Sequence, residues 1–215
     1  MNIAEIHVVE DDASEREALK FLLRTEGYRV RAYAGGEELV ATDPEPPACI
    51  VTDLMMPRMT GLELLRRLKP QLVLVPTIVI TGYGDVAHAV NAMKIGAFDF
   101  LEKPYPPSAL LRCVATALAA SRKCLAASRD HLAARRMLLQ LTQREREIFA
   151  FLARGMTNKT IAHELGISDR TVESHRANIT RKLGVSGLAG LIALDRCASE
   201  PFEAGGRAPG CTEDG

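Results

Sequence analysis

The 215-residue sequence predicts a doubly wound α/β unit, built on a five-stranded parallel sheet, followed by a small all-α unit. Three observations predict this. From residue 3 to about 120, short apolar runs alternate with amphipathic stretches of helical period, as βαβ units do. Four of the runs end in polar residues that can do chemistry. After residue 106 the strands stop, and four helical patterns fill 142–195.

The first run, Ile6-His7-Val8-Val9, predicts a strand over 5–9. Asp12 and Ser14 suit the cap of a helix over 13–26, and Gly27 suits its end. A strand near 29–33 leads to a helix near 35–42, opened by Gly35. Ala48-Cys49-Ile50-Val51 marks a strand over 48–52, with a helix near 60–69 behind it. Thr77-Ile78-Val79-Ile80 marks 76–80, and the next helix, 84–95, closes at Gly96. A strand at 98–101 and a helix at 106–120 complete the unit. Strands joined by helices pair in parallel through right-handed crossovers.

No Gly or Pro interrupts the chain between Pro107 and Leu141, so the fifth helix is expected to run on into a partly helical linker. The boundaries expected are 1–120 for the α/β unit, 121–138 for the linker and 139–198 for the helical unit. Residues 199–215, rich in Gly, Pro and charge, read as a disordered tail.

Composition narrows the function classes. Basic and acidic side chains balance at 27 each, but not along the chain. Residues 1–123 carry 14 basic and 16 acidic side chains, and residues 124–198 carry 12 and 7. A basic second part points to a polyanionic partner. The five cysteines form no CxxC pair, so they read as reduced thiols in a cytoplasmic protein. No apolar stretch approaches the ~18 residues that span a membrane, and no membrane partner is expected.

The strand ends carry the chemistry. Glu10 and Asp11 follow the first strand, Asp53 the third, Thr81 the fourth and Lys103 the fifth. All meet at the carboxyl edge of a parallel sheet, where such sheets bind ligands. Carboxylates suit Mg²⁺, and a carboxylate can also attack phosphorus to give an aspartyl phosphate. Lys103 and Thr81 suit the transferred oxygens. Each residue alone has an ordinary reading: acidic pairs cap helices, and a Lys before a Pro is usually a solvated turn residue. Four at matching strand ends are much harder to reach by accident.

Here the sequence resembles the receiver domain of two-component response regulators, a flavodoxin-like fold. The resemblance rests on Val8-Val9-Glu10-Asp11-Asp12, Val51-Thr52-Asp53-Leu54-Met55-Met56-Pro57, Gly61, Thr81-Gly82, Gly96-Ala97-Phe98-Asp99-Phe100 and Glu102-Lys103-Pro104. It implies that Asp53 accepts a phosphoryl group from a sensor histidine kinase. It also implies Mg²⁺ on Asp11, Asp53 and the Met55 carbonyl, assisted by Glu10. Thr81 and Phe100 would be a switch pair, and Lys103-Pro104 a cis peptide. Glu10 stands where many members have Asp.

In the second part, Ile161, Ala162 and Leu165 form one apolar stripe, Gly166 ends that helix and Ser168 caps the next. Two short helices about a Gly-containing turn form a helix-turn-helix, whose second helix enters a major groove. Arg170, Glu173, Ser174, Ala177 and Arg181 lie on its outer face, Glu173 and Ser174 as base readers. Lys159, Thr171, Arg176, Arg181 and Lys182 are candidates for phosphate contacts. A small bundle with a solvated charged face is the alternative from spacing alone.

This segment resembles the LuxR-type DNA-binding domain through Leu141-Thr142, Arg144-Glu145, Glu147, Gly155, Asn158-Lys159, Ile161-Ala162, Leu165, Ser168, Thr171-Val172, His175, Ile179 and Lys182-Leu183. The whole chain therefore looks like a NarL/FixJ-type response regulator. That implies a non-enzymatic transcription factor that binds double-stranded DNA, forms a homodimer on phosphorylation and has RNA polymerase as an expected partner. Dimerisation is implied at the face around 84–101, with Val86, Val90 and Lys94 as candidates. Two rivals are an aspartyl-phosphate hydrolase and a protein-binding module. Met55 at the plus-two position offers no second acid for the hydrolase.

Overall fold

The computed structural model describes residues 4–68, 72, 74–82 and 86–199. Strands β1 (Glu5–Val9), β2 (Arg29–Tyr33), β3 (Ala48–Asp53), β4 (Thr77–Thr81) and β5 (Asp99–Glu102) alternate with helices α1 (Ala13–Thr25), α2 (Gly36–Thr42), α3 (Gly61–Leu68), α4 (Val86–Ile95) and α5 (Pro107–Leu139). The strands form one parallel sheet in the order β2-β1-β3-β4-β5. The order reverses between β1 and β3, and a crevice opens outside the carboxyl ends at such a point.

Successive strand residues point to opposite faces. Ile6 and Val8 join Cys49, Val51, Ile78 and Ile80 beneath Leu19 and Leu23 of α1 and Leu110 and Val114 of α5. Val9 and Ile50 pack on the other face, against Leu39 of α2 and Leu64 of α3. β3 and β4 are buried along their whole length, which is why they read as unbroken apolar runs. Each fully buried Leu or Ile contributes about 1.5–3 kcal/mol.

Three strands extend one residue past their expected ends, to Asp53, Thr81 and Glu102. Backbone pairing explains this: Leu54 N donates to Ile80 O at 2.8 Å, and Lys103 N donates to Thr81 O at 2.9 Å. The ladder outlasts the apolar run. The Asp12 side chain caps α1 by accepting from Ser14 N and Glu15 N.

The span expected as a partly helical linker is helical throughout, within α5. It is rich in Ala, Leu and Arg, the strongest helix formers, and holds no breaker. The chain divides into two compact units between Leu125 and Ala126. The second holds α6 (Gln143–Ala153), α7 (Asn158–Leu165), α8 (Asp169–Leu183) and α9 (Gly187–Ser199), the four helices expected. Their core includes Ile148, Leu152, Ile161, Val172, Ile179, Leu183 and Leu191. Thr142 and Glu145 form a reciprocal capping box at the start of α6.

No helix among the described residues is long and apolar enough to cross a membrane. Cys49, Cys113, Cys124 and Cys197, the cysteines among the described residues, form no disulfide. The tail expected at 199–215 lies, apart from Ser199, outside the described residues.

Candidate functional site

The sheet's carboxyl edge brings Glu10, Asp53, Thr81 and Lys103 together from four strands. The Lys103 Nζ donates to Asp53 Oδ2 at 2.5 Å, to Glu10 Oε2 at 3.4 Å and to Glu15 Oε2. Glu10 and Asp53 are buried, and Lys103 is half-buried rather than a solvated turn residue. Its peptide bond to Pro104 is cis. Burial, and then the Asp53 carboxylate, raise the Glu10 carboxyl to about 7 against the pull of Lys103. For Lys103, burial acts downward. The hydrogen bonds to Asp53 and Glu15 outweigh it and push the ammonium upward.

Asp53 is held at both oxygens. Oδ1 accepts from Met55 N at 2.8 Å, and Oδ2 takes Lys103. The Met55 side chain is exposed. Beneath the loop, Gly61 N donates to Leu54 O at 2.9 Å. A Cβ at Gly61 would stand 2.5 Å from the Asp53 carbonyl oxygen, so only glycine lets the start of α3 approach this closely.

Asp11 departs from the expected grouping. It is exposed, and its carbonyl oxygen accepts from Arg16, which also binds the Glu10 carbonyl at 2.7 Å. Among the described residues, the three carboxylates with ligand atoms within 4.8 Å of one another are Glu10, Asp53 and Glu15. Sequence reasoning missed Glu15 because it sits on a helix and ends no strand. The available signal was its place three residues after the Asp12 cap. This oxygen-rich donor set, with carboxylates in excess over one ammonium, fits a hard divalent cation.

The Thr81 hydroxyl is buried and donates to the Gly82 carbonyl at 3.3 Å. Phe100 lies opposite Val79 in register, so it shares a sheet face with Thr81. It is partly buried against Leu54, Leu62, Leu65, Val79, Ala92 and Ala97. On α4, Val90 and Lys94 are exposed; the Val86 side chain lies outside the described residues.

In the second unit, α7 ends at Gly166, whose φ of +63° turns the chain into α8. Ser168 caps α8 through Thr171 N, and its hydroxyl also pairs with Thr171 Oγ1 at 2.8 Å. Lys159, Arg170, Glu173, Ser174, Ala177 and Arg181 are exposed. Arg176 is half-buried beside Asn158 Oδ1 at 3.5 Å. Lys182 is exposed as well. Its Nζ donates to the buried Glu145 at 2.6 Å, so the ammonium is engaged in joining α8 to α6. Arg144 was also missed as a bridge: it donates to Leu165 O at 3.2 Å and to Glu147.

Residues 6–115 match the family described as "Response regulator receiver domain", and residues 139–194 match "Bacterial regulatory proteins, luxR family". The chain is a response regulator of the NarL/FixJ type. The regulator is 40% identical over 190 residues to the transcriptional regulatory protein FixJ of Azorhizobium caulinodans, covering 88% of this chain and 90% of that one. Among solved structures it is similar to the response regulator StyR, with a TM-score of 0.76 and 37% identity over 89% of this chain and 97% of that one. Full-length FixJ from B. japonicum follows at a TM-score of 0.53 and 38% identity, covering 90% of this chain and 96% of that one. A NarL/FixJ-type regulator joins a receiver to a LuxR-type DNA-binding domain and regulates transcription; the family is not one of dedicated enzymes.

Proposed function

We propose that phosphorylation of Asp53 by a sensor histidine kinase promotes dimerisation of the regulator and its sequence-specific binding to DNA. One observation carries this reading: the Asp53 carboxylate is gripped by Met55 N and Lys103 Nζ beside buried Glu10, at the sheet's switch point.

Glu10, Asp11, Asp53 and the Met55 carbonyl would hold Mg²⁺, which supplies neutralisation of the phosphoryl oxygens. An Asp53 carboxylate oxygen attacks the phosphorus of the kinase's phosphohistidine. The P–N bond breaks, and the imidazole leaves with the electron pair. Lys103 places its charge on a phosphoryl oxygen, and the Thr81 hydroxyl turns from Gly82 to donate to another. Phe100, on the same face, moves inward into the space Thr81 leaves. The phosphoryl group adds up to two negative charges and biases a receiver that already samples two states. The exposed α4–β5 face, with Val90 and Lys94, then pairs with a second copy.

Dimerisation couples two weak DNA contacts into one stronger one. Glu173 and Ser174 of α8 read bases, with Arg170 and Ala177 on the same outer face, while Lys159, Thr171, Arg176 and Arg181 contact phosphates. Lys182 is a further candidate for a phosphate contact, one that would require its pair with Glu145 to open. In this reading residues 1–120 receive the signal, 139–198 bind DNA, and the protein works in the cytoplasm beside RNA polymerase. Transfer of radiolabelled phosphate from a phosphorylated kinase tests the first step: label is expected on the wild type and absent from Asp53→Asn. Equal labelling of both moves the acceptor elsewhere.

A further inference from the structure

Lys103 makes one contact that the strand-end cluster does not require. Its ammonium donates to Oε2 of Glu15, in the first turn of α1. An ammonium has three protons and accepts nothing. Asp53, Glu10 and Glu15 take all three. A phosphoryl oxygen reaches Lys103 only by displacing one of them.

Exposure decides which one yields. The Glu10 and Asp53 side chains are 2% and 10% exposed, whereas Glu15 is 51% exposed. Releasing Glu15 returns a carboxylate to water; releasing either of the others leaves a buried carboxyl group without its donor. The Glu15 oxygen also stands within 4.8 Å of the Asp53 and Glu10 oxygens, so it repels an anionic group arriving at Asp53. The backbone keeps it there. Glu15 N donates to the Asp12 cap at 2.8 Å, and Arg16 ties the same turn to the Glu10 and Asp11 carbonyls.

We propose that Glu15 is a brake on phosphoryl transfer, a positioning residue that competes with the incoming phosphoryl group for the Lys103 ammonium. This rests on the reading of Asp53 as the acceptor. With acetyl phosphate as donor, an Asp53 oxygen bonds to phosphorus, the bond from phosphorus to the acetyl oxygen breaks, and acetate leaves with the electron pair. Glu15 holds Lys103 back from that transfer until it swings into solvent.

The test measures the rate of phosphorylation of the full chain by acetyl phosphate with Mg²⁺, for wild type, Glu15→Gln, Glu15→Ala and Glu17→Gln. Glu17 is the control: it is exposed, pairs with Lys20 and makes the same change in net charge. Both Glu15 variants are expected to react about two- to fivefold faster, the size of effect an exposed ion pair carries. The advantage should shrink towards one as salt rises from about 0.05 M to about 0.5 M, because screening weakens the pair. Beryllofluoride, a phosphoryl analogue, should bind both variants more tightly by a similar factor. Glu17→Gln should follow the wild type. Glu15 variants that are no faster, or a Glu17→Gln that is equally fast, overturn the brake. A wild type that takes no phosphoryl group removes the acceptor reading, and the brake with it.

Discussion

Lys182 Nζ lies 2.6 Å from Glu145 Oε2, and this pair fastens the second helix of the helix-turn-helix to the capping box of α6. Glu145 also accepts from Thr142 N at 2.8 Å. Lys182 first, and then the Thr142 N–H, bring the Glu145 carboxyl down from 4.5 to about 2.

A folded value below the unfolded one fixes the sign of the pH dependence. The pair contributes its full stability above about pH 4.5, and that contribution is lost as pH falls towards 2. The helical unit of the wild type should therefore lose melting temperature over this window more steeply than Glu145→Gln. An NMR titration of the Glu145 carboxyl with a midpoint near 4.5 would refute the pairing.

Lys182 and Arg181 are adjacent but should behave differently. Lys182→Met leaves a buried carboxylate without its cation and should destabilise the helical unit by about 1.5–3 kcal/mol, the scale of a hydrogen bond to a charged group. Arg181→Ala should leave stability nearly unchanged and lower the salt slope of DNA binding by about 1, one phosphate contact. Chemical denaturation and salt-dependent binding curves separate the two. A slope lowered equally by Lys182→Met would place its ammonium on DNA after all.

Gly61→Ala should cost the receiver about 1–3 kcal/mol, because the new Cβ overlaps the Asp53 carbonyl oxygen and the loop must shift. The same shift displaces the Asp53 carboxylate, so phosphorylation should slow as well. Thermal unfolding and phosphorylation rate, measured on one preparation, read both effects. A variant with native stability and rate would show that α3 can move aside at no cost.

How far the sequence reached depended on period and place. β3 and β4 were legible because strands buried on both faces must be apolar throughout. Asp53, Thr81 and Lys103 were legible because each closes such a run. Glu15 was not, because a helix residue reaches the cluster only through the path of α1 in three dimensions. The pair of Lys182 with Glu145, 37 residues earlier, was not legible either, since nothing local in the sequence shows it. The full helicity of 121–138 goes beyond the partly helical linker expected, because propensity alone carries the helix on.

The most direct test of phosphorylation-driven assembly is sedimentation velocity of the full chain, with and without Mg²⁺ and a small-molecule phosphodonor, beside Asp53→Ala. The expected result is a shift from monomer to dimer that needs Mg²⁺ and donor together and is absent in Asp53→Ala. A wild type that carries phosphate on Asp53 yet sediments as before would contradict it.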